Sequence, residues 1–214
     1  MKRCINMYED KYKNPTLTSS GDLDSFLNLI ADLNEPLELF AIGGTAMVLK
    51  KIKESTKDID FLTTEKYEKI KRMFNLAGLK EESPNKMCNI WRLNSIRIDI
   101  FYDGFIMGIP FPEDWKSLSE MIKEIGKIKL YILNWYDLII TKISRSEKRD
   151  IEDIIAIIKS QKLDFNFLKK RYYSIAETSL ISDFDYKFKH LKNEYQKVLG
   201  TFGRSKFKDI GGKF

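Results

Sequence analysis

Apolar residues first recur at helical spacing at Leu23, Phe26, Leu27, Ile30 and Leu33, after Ser19-Ser20-Gly21-Asp22, and Asn34-Glu35-Pro36 stops them. The pattern predicts an amphipathic helix whose start the serines and Asp22 signal. A mostly apolar run from Leu37 to Ile42 then ends in Gly43-Gly44, which reads as a buried strand entering a glycine turn. Thr45–Lys53 follows as a helix, Lys57–Leu62 as a short strand of alternating polarity, and Glu65–Leu76 as an amphipathic helix capped near Gly78. Two strand-like runs between Asn89 and Tyr102, separated by Asn94-Ser95, predict a hairpin. In its second run Ile96, Ile98 and Ile100 face one way, and Arg97, Asp99 and Phe101 the other. After Pro110 and Pro112 the pattern predicts a helix near Asp114–Ile122 and a strand over Gly126–Leu133. Helices then dominate, at Trp135–Ser144, Arg149–Lys159, Asp164–Glu177 and Asp183–Leu199.

These elements predict an α/β (α+β) protein. Residues 1–20 read as an N-terminal arm and 21–133 as a core with a small mixed sheet flanked by helices. Residues 134–200 read as a C-terminal helical region and 201–214 as a basic, loose tail.

Composition narrows the chemistry. Cys4 and Cys88 are the only cysteines and His190 is the only histidine. Four-ligand zinc sites, Cys-Cys redox pairs and histidine-based nucleophile systems need more than this. Carboxylates, a hydroxyl or a lysine must therefore carry any reaction. No run approaches the length of a membrane span, and the N-terminus carries no apolar leader pattern, so a cytoplasmic protein is expected. The net charge is +6, and residues 161–214 hold 12 basic against 6 acidic side chains while the rest holds 25 of each. A basic appendage on a neutral body suits an anionic partner such as RNA; an ordinary solvated helical face fits it equally.

Three features bear on chemistry. At Gly43-Gly44-Thr45 a strand meets a helix, so the backbone can approach a bound phosphate closely, with the Thr45 hydroxyl alongside. A tight connection alone would also use this pair. After twelve residues comes Asp58-Ile59-Asp60, whose carboxylates share one strand face while Ile59 packs inward. Two such charges repel unless a cation lies between them, and Mg²⁺ prefers hard oxygen ligands; solvated acids at a strand edge are the alternative. Asp99 sits between isoleucines, where it needs either an arginine such as Arg97 or a metal shared with Asp58 and Asp60.

Taken together, the Gly-Gly-Thr turn, the gap, the Asp-x-Asp pair and a later lone Asp resemble the DNA polymerase beta-type nucleotidyltransferase superfamily, with Thr45 where serine is usual. Trp135 to Lys142, then Arg145 and Lys148-Arg149-Asp150-Ile151-Glu152-Asp153-Ile154, is similar to a segment of the AbiEii-type and related minimal nucleotidyltransferases. The resemblance spans about Glu38 to Lys159. It implies a nucleotidyltransferase fold in which Asp58, Asp60 and Asp99 bind Mg²⁺ or Mn²⁺, and Asp99 also helps activate the acceptor hydroxyl. It further implies that Gly43, Gly44 and Thr45 contact the phosphates of an NTP and that Lys142 neutralises charge there. Asp150 and Asp153 would orient Lys142 or the acceptor, although Asp150 also suits a helix N-terminus on charge grounds alone. The acceptor would be an RNA or tRNA end, a protein or a small molecule, and a toxin paired with a cognate antitoxin is one implication. A catalytically silent nucleotide- or RNA-binding protein of the same fold is the alternative, and a Mg²⁺-dependent phosphohydrolase a weaker one.

Overall fold

The computed structural model describes residues 17–83, 88–161, 163–179 and 181–200. The tail expected over 201–214, and the arm up to residue 16, lie outside the described residues. The chain divides into two compact units, residues 1–138 and 139–214.

In the first unit, α1 (Ser20–Ala31) begins where the sequence signals it. The Ser19 side chain accepts from the Asp22 N–H, and Asp22 in return accepts from the Ser19 N–H at 2.8 Å, a reciprocal cap. β1 (Leu37–Ala41) leads into α2 (Gly43–Leu49), then β2 (Ile59–Leu62), α3 (Tyr67–Leu76), β3 (Lys80–Ser83), β4 (Cys88–Leu93) and β5 (Ile96–Phe101). The expected hairpin is β4–β5, with Asn94 at φ +55° in its turn. A small ribbon, β6 (Phe105–Ile106) with β7 (Ile109–Pro110), precedes β8 (Glu120–Ile125) and β9 (Ile128–Ile132).

Seven strands form one mixed sheet in the order β3-β4-β5-β2-β1-β9-β8. β1 runs parallel to β9 and β2 parallel to β5; the other pairs are antiparallel. The strand alternation gives the sheet two unlike faces. Ile59, Phe61, Trp91, Ile98 and Ile100 are fully buried, and helices cover them. Phe26 of α1 stacks on Phe61 at 5.9 Å and meets Phe74 of α3 edge-on, and Phe74 in turn meets Trp91 at 5.2 Å. The opposite face carries Asp60, Arg97 and Asp99.

One expected element is corrected. Where a helix was expected near Asp114–Ile122, the chain makes a single 3₁₀ turn at Glu113–Trp115 and then the edge strand β8. The register of β8 against β9 shifts between Met121 and Lys123. Met121 and Ile122 are adjacent apolar positions that break the two-residue alternation of a strand, and the irregularity accommodates both in β8.

The helices that follow are α4 (Trp135–Arg145), α5 (Lys148–Ser160), α6 (Phe165–Ala176) and α7 (Phe184–Gly200). Within the second unit, Asp164 caps α6 by accepting from the Asn166 and Phe167 N–H groups. Tyr172 stacks on Phe188 at 5.0 Å and donates its hydroxyl to the Phe184 carbonyl at 2.9 Å, which joins α6 to α7.

Candidate active site

The acidic cluster is made by strand register. β2 lies beside β5 in parallel, with Asp60 directly opposite Asp99. Asp58, two residues before Asp60, projects to the same side. Oxygens of Asp58, Asp60 and Asp99 all come within 4.8 Å of one another, Asp99 being buried and the other two half-buried. Oxygens on opposite sides of a Mg²⁺ ion are about 4 Å apart. Three hard carboxylate donors at this spacing therefore fit a divalent cation after small side-chain adjustments.

The glycine turn is built against this cluster. Gly43 adopts φ +54°, and a Cβ there would stand 2.6 Å from Asp60 Oδ2. A Cβ on Gly44 would stand 2.1 Å from Thr56 Oγ1 and 2.9 Å from Thr56 Cβ. Thr56 is itself anchored by two backbone hydrogen bonds with Thr18, at 2.7 and 3.0 Å. Close approach to a neighbouring loop and to Asp60 thus accounts for both glycines. Thr45 is 1% exposed. Its hydroxyl oxygen accepts from the Asp60 N–H at 2.8 Å, and its O–H donates to the Asp58 carbonyl at 3.4 Å. The Ile42 N–H donates to the Asp60 carbonyl at 3.1 Å. The turn therefore clamps the backbone of the Asp pair from both sides.

Of the two partners considered for Asp99, the arginine is in place, and the carboxylates that would share a metal with it lie beside it. The Arg97 guanidinium forks onto it, Nε to Oδ1 and Nη2 to Oδ2, each at 2.7 Å, while Asp99 also belongs to the acidic cluster. Cys88 lies across from Phe101 on β4. Burial first, then the negative charges of Asp99 and Asp60, push its thiol up to about 12, with Arg97 pulling the other way.

Lys142, Asp150 and Asp153 belong to the second unit and form a cluster there. Lys142 is 4% exposed and donates to Asp153 Oδ2 at 2.7 Å, with Asp150 Oδ1 at 3.6 Å. Asp150 is fully buried and takes the Arg145 fork at 2.5 and 2.7 Å, plus the Glu147 N–H at 3.2 Å. Burial pushes the Asp150 carboxyl up, but the Arg145 fork and the charges of Arg145 and Lys142 outweigh it, leaving it below the usual carboxylate range. Asp150 thus takes part in the cap at the start of α5, as its place at a helix N-terminus suggested, and also lies 3.6 Å from the Lys142 ammonium.

Thr56 is a site residue that sequence reasoning missed, and Arg97 is one that it named only as the alternative to a metal at Asp99. Arg97 was visible as the i−2 neighbour of Asp99 on one strand face; nothing in the sequence marks Thr56. Among the described residues no helix is long and apolar enough to cross a membrane.

The fold places the chain among known nucleotidyltransferase structures. It superposes on the antibiotic-resistance factor ANT(2″)-Ia in solution with a TM-score of 0.54 at 13% identity, over 84% of this chain and all of that one. A crystal of ANT(2″)-Ia with adenylyl-2″-tobramycin matches with a TM-score of 0.53 at 13% identity, over 74% of this chain and 98% of that one. An antigenic nucleotidyltransferase-like protein from Paracoccidioides brasiliensis matches with a TM-score of 0.50 at 14% identity, over 86% and 94%. At these identities the likeness is one of fold. The sequence itself goes further: over residues 21–202 it matches the family described as nucleotidyltransferase of unknown function (DUF6036), and the chain belongs to that family. It is a nucleotidyltransferase, with a nucleoside triphosphate as the implied donor. No curated protein matches the sequence.

Proposed function

We propose that this chain moves a nucleoside monophosphate from an NTP to a hydroxyl acceptor at the site made by β2, β5 and the Gly43-Gly44-Thr45 turn. The observation that carries this is the in-register pairing of Asp60 with Asp99, which gathers three carboxylates within 4.8 Å beside that turn. Asp58, Asp60 and Asp99 would hold Mg²⁺ or Mn²⁺. When bound, such an ion neutralises phosphate charge and makes the acceptor hydroxyl more acidic. Asp99 helps activate the acceptor hydroxyl, which attacks the α-phosphorus in line and releases pyrophosphate. Gly43 and Gly44 leave room for the phosphates to approach the backbone, and Thr45 keeps Asp58 and Asp60 at fixed positions beneath them. The catalytic core of this reading is residues 21–133, followed by a helical region over 134–200.

The AbiEii-type resemblance of Trp135 to Ile154 supports a toxin role, with an antitoxin as partner. The basic excess after residue 160 supports an RNA or tRNA acceptor. A silent binding protein is disfavoured, because all three carboxylates are retained and converge.

The test is a transfer assay. Purified protein is incubated with each α-³²P-labelled NTP, Mg²⁺ or Mn²⁺ and total tRNA, beside the Asp58→Ala/Asp60→Ala variant. Label entering RNA or protein only with the intact pair is the expected result. Metal-dependent nucleotide binding without label transfer to either would point to a small-molecule acceptor or a binding role. Neither transfer nor binding would leave the acids as strand residues without a metal or nucleotide role.

A further inference from the structure

Arg97 sits two residues before Asp99 on the same side of β5, and its guanidinium occupies both carboxylate oxygens, at 2.7 Å each. An ionised carboxylate offers about four lone-pair directions. The fork uses one on each oxygen, so each keeps another for the side on which Asp60 and Asp58 lie. The arrangement is also an electrostatic one. Three carboxylates within 4.8 Å repel one another in the folded chain, and a guanidinium on the most buried of them offsets part of that repulsion. Arg92, opposite Arg97 across the hairpin, is turned to Glu82 at 2.6 Å and the Ser95 carbonyl at 3.2 Å. The contact to Asp99 is therefore a property of Arg97 and not of a diffuse basic patch.

We propose that Arg97 is a positioning residue of this site: it fixes Asp99 in its cluster-facing orientation and serves as the cluster's built-in counter-ion until a divalent cation takes that role. The inference rests on the metal-site reading above and extends it to a residue outside the acidic motif. It has a consequence that a simple strand staple lacks. The guanidinium and the incoming cation compensate the same charge, so each weakens the need for the other. Asp99 is 7% exposed on a central strand, so without Arg97 its carboxylate stays beside the cluster and loses only the fine alignment that the fork imposes. The repulsion between guanidinium and cation that is lost then exceeds the orientation that is lost. Removing the positive charge raises affinity for a dication by roughly tenfold or more.

The experiment uses the full chain and three variants, Arg97→Met, Arg97→Lys and Asp60→Asn. Thermal unfolding is followed by circular dichroism in EDTA and in increasing Mn²⁺, and Mn²⁺ binding is measured directly by electron paramagnetic resonance. Arg97→Met is expected to melt below wild type in EDTA, to bind Mn²⁺ at least about tenfold more tightly, and so to recover most of its stability when saturated. Arg97→Lys keeps the charge without the fork. It is expected to bind Mn²⁺ within about threefold of wild type and, in the transfer assay, to lose kcat at nearly unchanged KM for the NTP. A stability deficit in Arg97→Met that Mn²⁺ leaves untouched, with affinity at or below wild type, would make Arg97 a staple and overturn the inference. An equal gain in affinity for Arg97→Lys would overturn it as well. If Arg97→Met does not fold, the lysine variant decides: a wild-type kcat removes the positioning role. If wild type and Asp60→Asn bind Mn²⁺ equally poorly, the metal-site reading itself fails, a result distinct from a normal wild-type titration that Arg97 does not alter.

Discussion

Gly43 offers the sharpest link between backbone geometry and the acidic cluster. Replacing it with alanine acts twice. The backbone at φ +54° costs a side chain about 1–2 kcal/mol, because its Cβ crowds the following carbonyl. The new Cβ would also stand 2.6 Å from Asp60 Oδ2, so the Asp60 carboxylate must swing away, at about 0.5–1.5 kcal/mol for a strained rotamer. Alanine recovers roughly 0.4–1 kcal/mol by restricting the unfolded chain. The net loss is roughly 0.5–3 kcal/mol, which for a chain of this size lowers Tm by about 1–12 °C. The loss of function should exceed the loss of stability, because the atom displaced is a candidate metal ligand. Gly44→Ala supplies the comparison: its clash is with Thr56, and Thr56→Gly should relieve it without touching Asp60. Melting curves and Mn²⁺ titrations of both variants separate the two effects. Gly43→Ala binding Mn²⁺ as wild type does, while Gly44→Ala binds it worse, would refute the reasoning.

Three further outcomes are expected. Lys142→Met removes one partner of a buried pair and should cost roughly 3 kcal/mol, the low end for such a change because Arg145 still holds Asp150; adding Asp153→Leu should recover much of it. Loss of transfer with an unchanged melting curve would instead give Lys142 the phosphate-neutralising role. The depressed Asp150 carboxyl contributes stability above its unfolded pKa of about 3.9, and loses it as pH falls through its lower folded value. The stability gap between wild type and Arg145→Gln should therefore be flat from pH 5 to 7 and shrink below about pH 4; an unchanged gap at pH 3 would contradict the assigned partner. Cys88, with its thiol pushed up to about 12, should in a Cys4→Ser background react with iodoacetamide at pH 8 roughly a hundredfold more slowly than a free thiol, and a free-thiol rate would show the site to be open.

Sequence and structure agree where a signal is local. The α1 start, the Asn94-Ser95 hairpin and the shared face of Asp58 and Asp60 depend on neighbours a few residues apart, and each was legible. The convergence of Asp99 on Asp60 depends on a parallel register between strands separated by α3 and two further strands, so the sequence offered a shared metal only as one of two partners for Asp99, and the family resemblance favoured it. β3 is Lys80-Glu81-Glu82-Ser83, an edge strand with no apolar alternation to reveal it. β8 was misread because its bulge breaks the two-residue period. Thr45 shows a different limit. Its residue type and place were legible, but its burial and its bonds to Asp58 and Asp60 were not, since they require knowing which loop packs over the turn.

The two glycine contacts also mark where the chain can change length. Gly44 meets Thr56 and Gly43 meets Asp60, so residues 56–60 are held at both ends by one short turn. Adding or deleting one residue there would swing Asp60 onto the helix-covered side of the sheet. A few residues earlier, Lys51, Lys53 and Glu54 are exposed, and lengthening that loop costs only about 0.6 kcal/mol per doubling. Insertions before Thr56 should be tolerated and insertions after it should not, which gives natural variation and engineering alike a boundary one residue wide.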